Sequence, residues 1–91
     1  MRSFAEFILA VRSKLTEFGG PDMIEETVGE DTAIWRFAGG QVEIRLADYE
    51  RVSIVVRGDR PDAPNCFERT DDAGVDGAAK FIAHHAAFFV D

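Results

Sequence analysis

The sequence predicts an α+β domain: a two-layer sandwich with a four-stranded antiparallel meander and helices at its N- and C-terminal ends, α-β-β-β-β-α. Three observations predict it. Apolar residues recur at helical spacing at both ends of the 91-residue chain. Between Asp22 and Gly58 the period switches from 3.6 to 2. The connectors in that middle stretch are only two or three residues long, and connectors that short make hairpins.

The first helix is expected over about residues 3 to 18. Phe4, Phe7, Ile8, Val11, Leu15 and Phe18 form its apolar stripe. Ser3 is the N-cap, and Glu6 three residues later completes a capping box. Gly19-Gly20-Pro21 then ends it, because glycine tolerates a left-handed cap and proline cannot continue a helix.

Four strands follow: Met23–Val28, Thr32–Ala38, Gln41–Ala47 and Arg51–Arg57. A two-residue turn at Gly39-Gly40 would set Phe37 against Val42, Trp35 against Ile44 and Ala33 against Leu46. All three pairs are apolar and so define a buried face. A three-residue turn over Asp48-Tyr49-Glu50 sets Leu46 against Val52, Ile44 against Ile54 and Val42 against Val56, on the same face. A Gly29-Glu30 turn would place Ile24 opposite Trp35 and Glu26 opposite Ala33. Gly58 to Arg69 reads as a loop. The second helix starts at 71 or 75, behind Thr70-Asp71-Asp72 with a hydroxyl cap and carboxylates over the positive dipole end, and runs to about 90. Val75, Ala78, Ala79, Ile82, Ala86, Phe89 and Val90 carry its stripe. Phe81, His85 and Phe88 make a second apolar line that could meet the first helix, the loop or another subunit. Both helices are amphipathic and need the same sheet face, which leaves the other face open.

One domain, 1–91, accounts for the length. Hydrophobic residues make up 46% and there are eight Phe, which is core material rather than the composition of a disordered chain. Lys and Arg number 10 against 17 Asp and Glu, a formal net charge of -7. That balance argues against nucleic acid and anionic membrane as partners, since both attract basic surfaces. No stretch reads as a signal-peptide core or membrane span. With the lone Cys66, which also excludes a disulfide framework and a Cys-rich zinc site, this predicts a cytoplasmic protein.

The open sheet face carries the most chemistry. By alternation it holds Met23, Glu25, Thr27, Ile34, Arg36, Ala38, Glu43, Arg45, Arg51, Ser53, Val55 and Arg57. Arg36, Arg45, Arg51 and Arg57 concentrate positive charge on one surface of an acidic protein, and Arg45 is flanked by Ile34 and Ser53 rather than by an acid. None of the twelve is aromatic, and sheet platforms for single-stranded RNA depend on exposed aromatics. The meander gathers Glu30, Asp31, Asp48 and Glu50 at one end of the sheet, a second candidate contact for a basic partner. Acids at turns also have an ordinary role in turn chemistry and solubility.

Other residues invite chemistry less well. Glu26 is aimed inward, where a carboxylate without a partner would hold its proton and could act as an acid or base, unless the strand end gives it water. His84 and His85 are adjacent and point about 100° apart on a helix, which is wrong for chelation. The stretch from Asp72 lacks the terminal glutamate of a calcium-binding loop, and Arg57-Gly58-Asp59 is a chance tripeptide. No phosphate-binding glycine loop or nucleophile elbow occurs, so neither catalytic residues nor cofactor nor metal are expected.

The sequence therefore points to a non-enzymatic protein-binding or regulatory domain, contacting another protein through the arginine face or the acidic turns. An inhibitor or immunity-type protein for a basic partner is one concrete form. Two copies could also pair through an edge strand or the open face. The alternative is a small enzyme or small-molecule binder with a pocket between helices and sheet, for which Glu26, Trp35, Arg45 and His85 are the first residues to consider.

Overall fold

The computed structural model describes residues 3–20, 22–48, 50–58 and 66–87. Helix α1 spans Phe4–Glu17, strands β1 to β5 span Met23–Val28, Thr32–Phe37, Gly40–Leu46, Arg51–Gly58 and Cys66–Arg69, and helix α2 spans Asp72–Ala86. The strands form one antiparallel sheet in the order β1-β2-β3-β4-β5. The meander is as expected, with a fifth strand where a loop was read.

Helix α1 is built as its sequence dictates. Ser3 Oγ accepts from the Glu6 N–H and Glu6 Oε1 accepts from the Ser3 N–H, both at 3.2 Å, which closes the capping box. At the other end Gly20 N donates to Leu15 O at 2.9 Å and Gly19 N to Thr16 O at 3.1 Å. That paired closure needs a left-handed residue, and Gly19 supplies it with φ +75°. Helix α2 is capped by Asp71, whose Oδ1 accepts from Gly74 N at 2.8 Å. Thr70 is not the cap: it is buried, and its N–H donates to Glu50 O at 3.0 Å. The expected apolar positions Phe88, Phe89 and Val90 lie outside the described residues.

Two registers differ from expectation by two residues. In the second hairpin Phe37 pairs with Gly40, Trp35 with Val42 and Ala33 with Ile44. The turn residues are Ala38 and Gly39, and Gly39 has φ +84°, a left-handed value that glycine adopts without strain. In the first hairpin Val28 pairs with Ala33 and Glu26 with Trp35. A shift of two leaves every side chain of the paired stretch on its expected face. A bulge between Met23 and Glu25 changes the faces at the strand's start. It turns Met23 toward the core, against which it packs, and leaves Ile24, expected opposite Trp35, 70% exposed. The β3–β4 register is as derived, with Leu46 opposite Val52, Ile44 opposite Ile54 and Val42 opposite Val56.

One face of the sheet is covered by both helices. Phe7, Ile8, Val11 and Leu15 of α1 and Val75, Ala78, Ala79 and Ile82 of α2 join Trp35, Val42, Ile44, Val52 and Ile54 in a single buried cluster. Among the described residues no helix is long and apolar enough to cross a membrane.

Candidate functional site

The uncovered face is ordered in rows across the strands. One row runs Glu25, Arg36, Gln41, Arg57; the next Thr27, Ile34, Glu43, Val55; the next Thr32, Arg45, Ser53, Phe67; the last pairs Arg51 with Arg69. Strand β5 thus adds Phe67 and Arg69 to a surface expected to end at β4. The premise that this face holds no aromatic is corrected by Phe67, which is 57% exposed. Because the β2–β3 register is shifted, Arg36 faces Gln41, and Arg45 lies between Thr32 and Ser53 instead of Ile34 and Ser53. Met23 leaves the face through the bulge, and Ala38 lies in a turn.

The arginines are not equivalent. Arg36 pairs with Glu25 at 3.6 Å, and Arg45 meets Glu43 Oε2 at 3.5 Å. Arg51 pairs with Asp48 at 3.3 Å and Arg69 with Glu50 at 3.2 Å. Arg57, exposed at the end of β4, has no carboxylate partner among the described residues. Ile34 and Val55 are half-buried on either side of Glu43, and Phe67 stands beyond Ser53 in the next row, so apolar groups, a carboxylate and arginines alternate across the face.

The acidic turns do gather at one end of the sheet, where Leu46 N donates to Asp31 O at 2.7 Å and joins the first turn to β3. Asp31 Oδ1 accepts from Thr32 Oγ1 at 3.2 Å; Glu30 stands exposed beside it. Asp48 accepts from the Glu50 N–H at 3.1 Å. That hydrogen bond holds its carboxyl below the ordinary range, with Arg51 acting in the same direction and desolvation opposing them. Asp48 and Glu50 therefore neutralise Arg51 and Arg69, so the two surfaces expected to be separate meet in ion pairs.

Glu26 stands across from Trp35, not Ala33. Its Oε2 accepts from the indole N–H at 2.8 Å and its Oε1 from Arg12 at 2.5 Å. A carboxylate held by two donors is a bridge between helix and sheet rather than a proton shuttle. The space between helices and sheet is filled: Trp35, Phe7, Ile44, Ile54 and Ile82 have no solvent exposure. A groove of about 380 Å³ lies outside this layer, along Arg12, Thr16, Gly20 and β1.

Cys66 and Glu68 point inward from β5, opposite Ile54 and Val52. Burial, and secondarily Glu68, pushes the Cys66 thiol up, which lowers its thiolate fraction. Burial, with Asp71 adding to it, raises the Glu68 carboxyl. His85 packs against Phe81 with ring centroids 4.5 Å apart and the rings tilted by 57°, and burial, then His84, lowers its proton affinity. Among the described residues no three His, Cys, Asp or Glu converge as a metal ion would require.

Sequence reasoning missed Phe67 and Arg69 because four residues of mixed polarity carry no readable period. The signal available was Phe67 itself, an aromatic between Cys66 and the charged Glu68 in a stretch that reads as loop. No family model, curated protein or solved structure matches this chain.

Proposed function

We propose that this chain is a small non-enzymatic protein-binding or regulatory domain of the cytoplasm, and that its contact surface is the open face of the sheet. The observation that carries the reading is Phe67, 57% exposed on the one sheet face without helices, in a row with Arg45 and beside the Arg51–Arg69 pair. Interface centres are enriched in aromatics and arginine, and exposed apolar groups rimmed by charge mark contact surfaces. The acidic turns support a basic partner less well, since Asp48 and Glu50 are already bound to arginines. The filled helix–sheet interface likewise gives little support to a substrate pocket.

Affinity capture from the native host with the wild-type chain, Arg45→Ala and Phe67→Ser tests this. The expected outcome is a protein retained by the wild type and lost from both variants, with melting temperatures nearly unchanged. Equal recovery on all three would overturn the assignment of the open face.

A further inference from the structure

We propose that the seam between α1 and β1 is a second contact surface, and that it takes an amphipathic helix of a partner protein with an apolar stripe and a basic residue at each end. This goes beyond the open-face reading above and does not depend on it.

Exposed apolar side chains concentrate at this seam. Of the large apolar residues exposed among those described, Leu9, Phe18, Ile24 and Val28 belong to α1, its C-cap and β1, and only Phe67 lies elsewhere. Residues 18–22 join the two elements. Arg12 meets Glu26, and Leu15, Thr16 and Gly20 share a groove with Met23 and Ile24. The start of β1 thus lies beside the end of α1, and Val28 lies toward Leu9, one helical turn before Arg12. Leu9, Arg12 and Thr16, spaced by three and four residues, form one stripe of α1 along the seam. The bulge contributes Ile24, turned away from Trp35 and into solvent, as bulges at sheet edges re-aim side chains.

The occupant is a helix rather than a strand. β1 keeps a regular ladder only from Glu25 to Val28. An added strand loses its hydrogen bonds at Ile24, whereas a helix satisfies its own backbone. Ile24 and Val28 are four strand residues apart, about 13 Å, which a helix spans with apolar residues at i, i+4 and i+8. One anchor enters the groove of about 380 Å³ beside Thr16 and Ile24, and another rests on Leu9 and Val28. Between them the Arg12–Glu26 pair is neutral as a unit.

Carboxylates stand at both ends of the seam. Residues 22–31 contain five acids and no Lys or Arg. Glu25 and Glu26 are held by Arg36 and Arg12. Asp22 before Ile24, and Glu30 and Asp31 after Val28, are exposed and make no ion pair among the described residues. Basic residues about one helical turn beyond the anchors meet them. The same carboxylates oppose an anionic membrane and a nucleic acid.

The test titrates the isotope-labelled full chain, followed by its amide and indole resonances, with a lysine–leucine peptide of about 18 residues whose leucines share one helical face. Controls are a scramble of the same composition, the glutamate–leucine counterpart and vesicles of phosphatidylserine. Expected are shifts at residues 9–16 and 22–31 and at the Trp35 indole N–H, with an affinity about tenfold above the scramble. Ile24→Ser, and separately Leu9→Ser, should remove that excess. Asp22→Asn with Glu30→Gln should weaken binding by about fivefold, and Phe67→Ser should leave it unchanged. Equal affinity for the scramble, tighter binding of the acidic peptide or the vesicles, shifts confined to residues 45, 53 and 67, self-association abolished by Ile24→Ser, or no response each overturn the proposal. If host-protein capture still depends on Phe67 while the peptide does not bind, the open face stands and the seam falls.

Discussion

Glu26 and Trp35 face each other across the first hairpin, and the indole N–H donates to Glu26 Oε2 at 2.8 Å. Trp35 has no solvent exposure, so this carboxylate satisfies a donor that water does not reach. Arg12 of α1 holds the second oxygen, and through it the edge strand is tied to the helix layer.

Glu26→Ala leaves the indole N–H without its acceptor, at a cost of about 1–3 kcal/mol. Glu26→Gln keeps an acceptor and loses only the charge toward half-exposed Arg12, worth less than about 1 kcal/mol. Urea denaturation of the two variants checks the order. Equal losses would mean the salt bridge, not the indole bond, carries the effect.

The two glycines of α2 near β5 are not alike. A Cβ on Gly74 would lie 1.6 Å from the Arg69 carbonyl oxygen, whereas one on Gly77 would meet the Glu68 carboxylate tip. Backbone cannot step aside and a side chain can. Gly74→Ala should therefore lower stability by about 2 kcal/mol or more through overpacking. Gly77→Ala, offset by its better helix propensity, should stay within about 1 kcal/mol. Thermal melting of both variants decides; a milder Gly74→Ala would show that the first turn of α2 is free to lift from β5.

Glu68 gives a pH signature. Its carboxyl is raised by burial and by Asp71, so the folded chain holds the proton more tightly than the unfolded one. The stability this contributes is complete below the ordinary glutamate value and is lost as pH rises through the raised one. Glu68→Gln titrates nothing. Its stability relative to wild type should rise between pH 4 and pH 7, as followed by denaturation at both pH values. Asp48 works in the opposite sense, since its lowered carboxyl gives stability that disappears as acid protonates it.

Phe67→Ser and Arg45→Ala alter exposed side chains on the open face, where substitutions stay within about 0.5 kcal/mol. Both variants should melt with the wild type while partner retention falls. A large drop in melting temperature for Phe67→Ser would assign that ring to folding instead.

What the sequence disclosed follows from what alternation can decide. The face of each paired strand position from Glu25 to Arg57 was readable, because a slip of one residue would have buried charges such as Arg36 and Glu43. A slip of two buries the same set, so Trp35 opposite Val42 could not be told from Trp35 opposite Ile44. The conformation of Gly39 settled that choice. The β3–β4 register was readable because only one turn length kept Leu46, Ile44 and Val42 facing Val52, Ile54 and Val56. The arginine face was legible for the same reason. Its aromatic was not, because Cys66–Arg69 is too short and too mixed to show a period. The bulge at Ile24 had no sequence mark either.

That bulge limits how far the sheet can grow. A neighbouring chain laid along β1 would find the regular ladder only from Glu25 to Val28, because the backbone donors and acceptors lose their spacing at Ile24. An antiparallel second copy over that short stretch would set Glu25 against Val28 and Glu26 against Thr27, which places Glu25 and Glu26 of one strand diagonal to Glu26 and Glu25 of the other. Growth by strand addition is thus obstructed by geometry and by charge, on an edge whose apolar Ile24 would otherwise invite it. The sheet therefore closes at β1 on a charged, irregular edge, next to the row of the open face that carries Arg36 and Arg57.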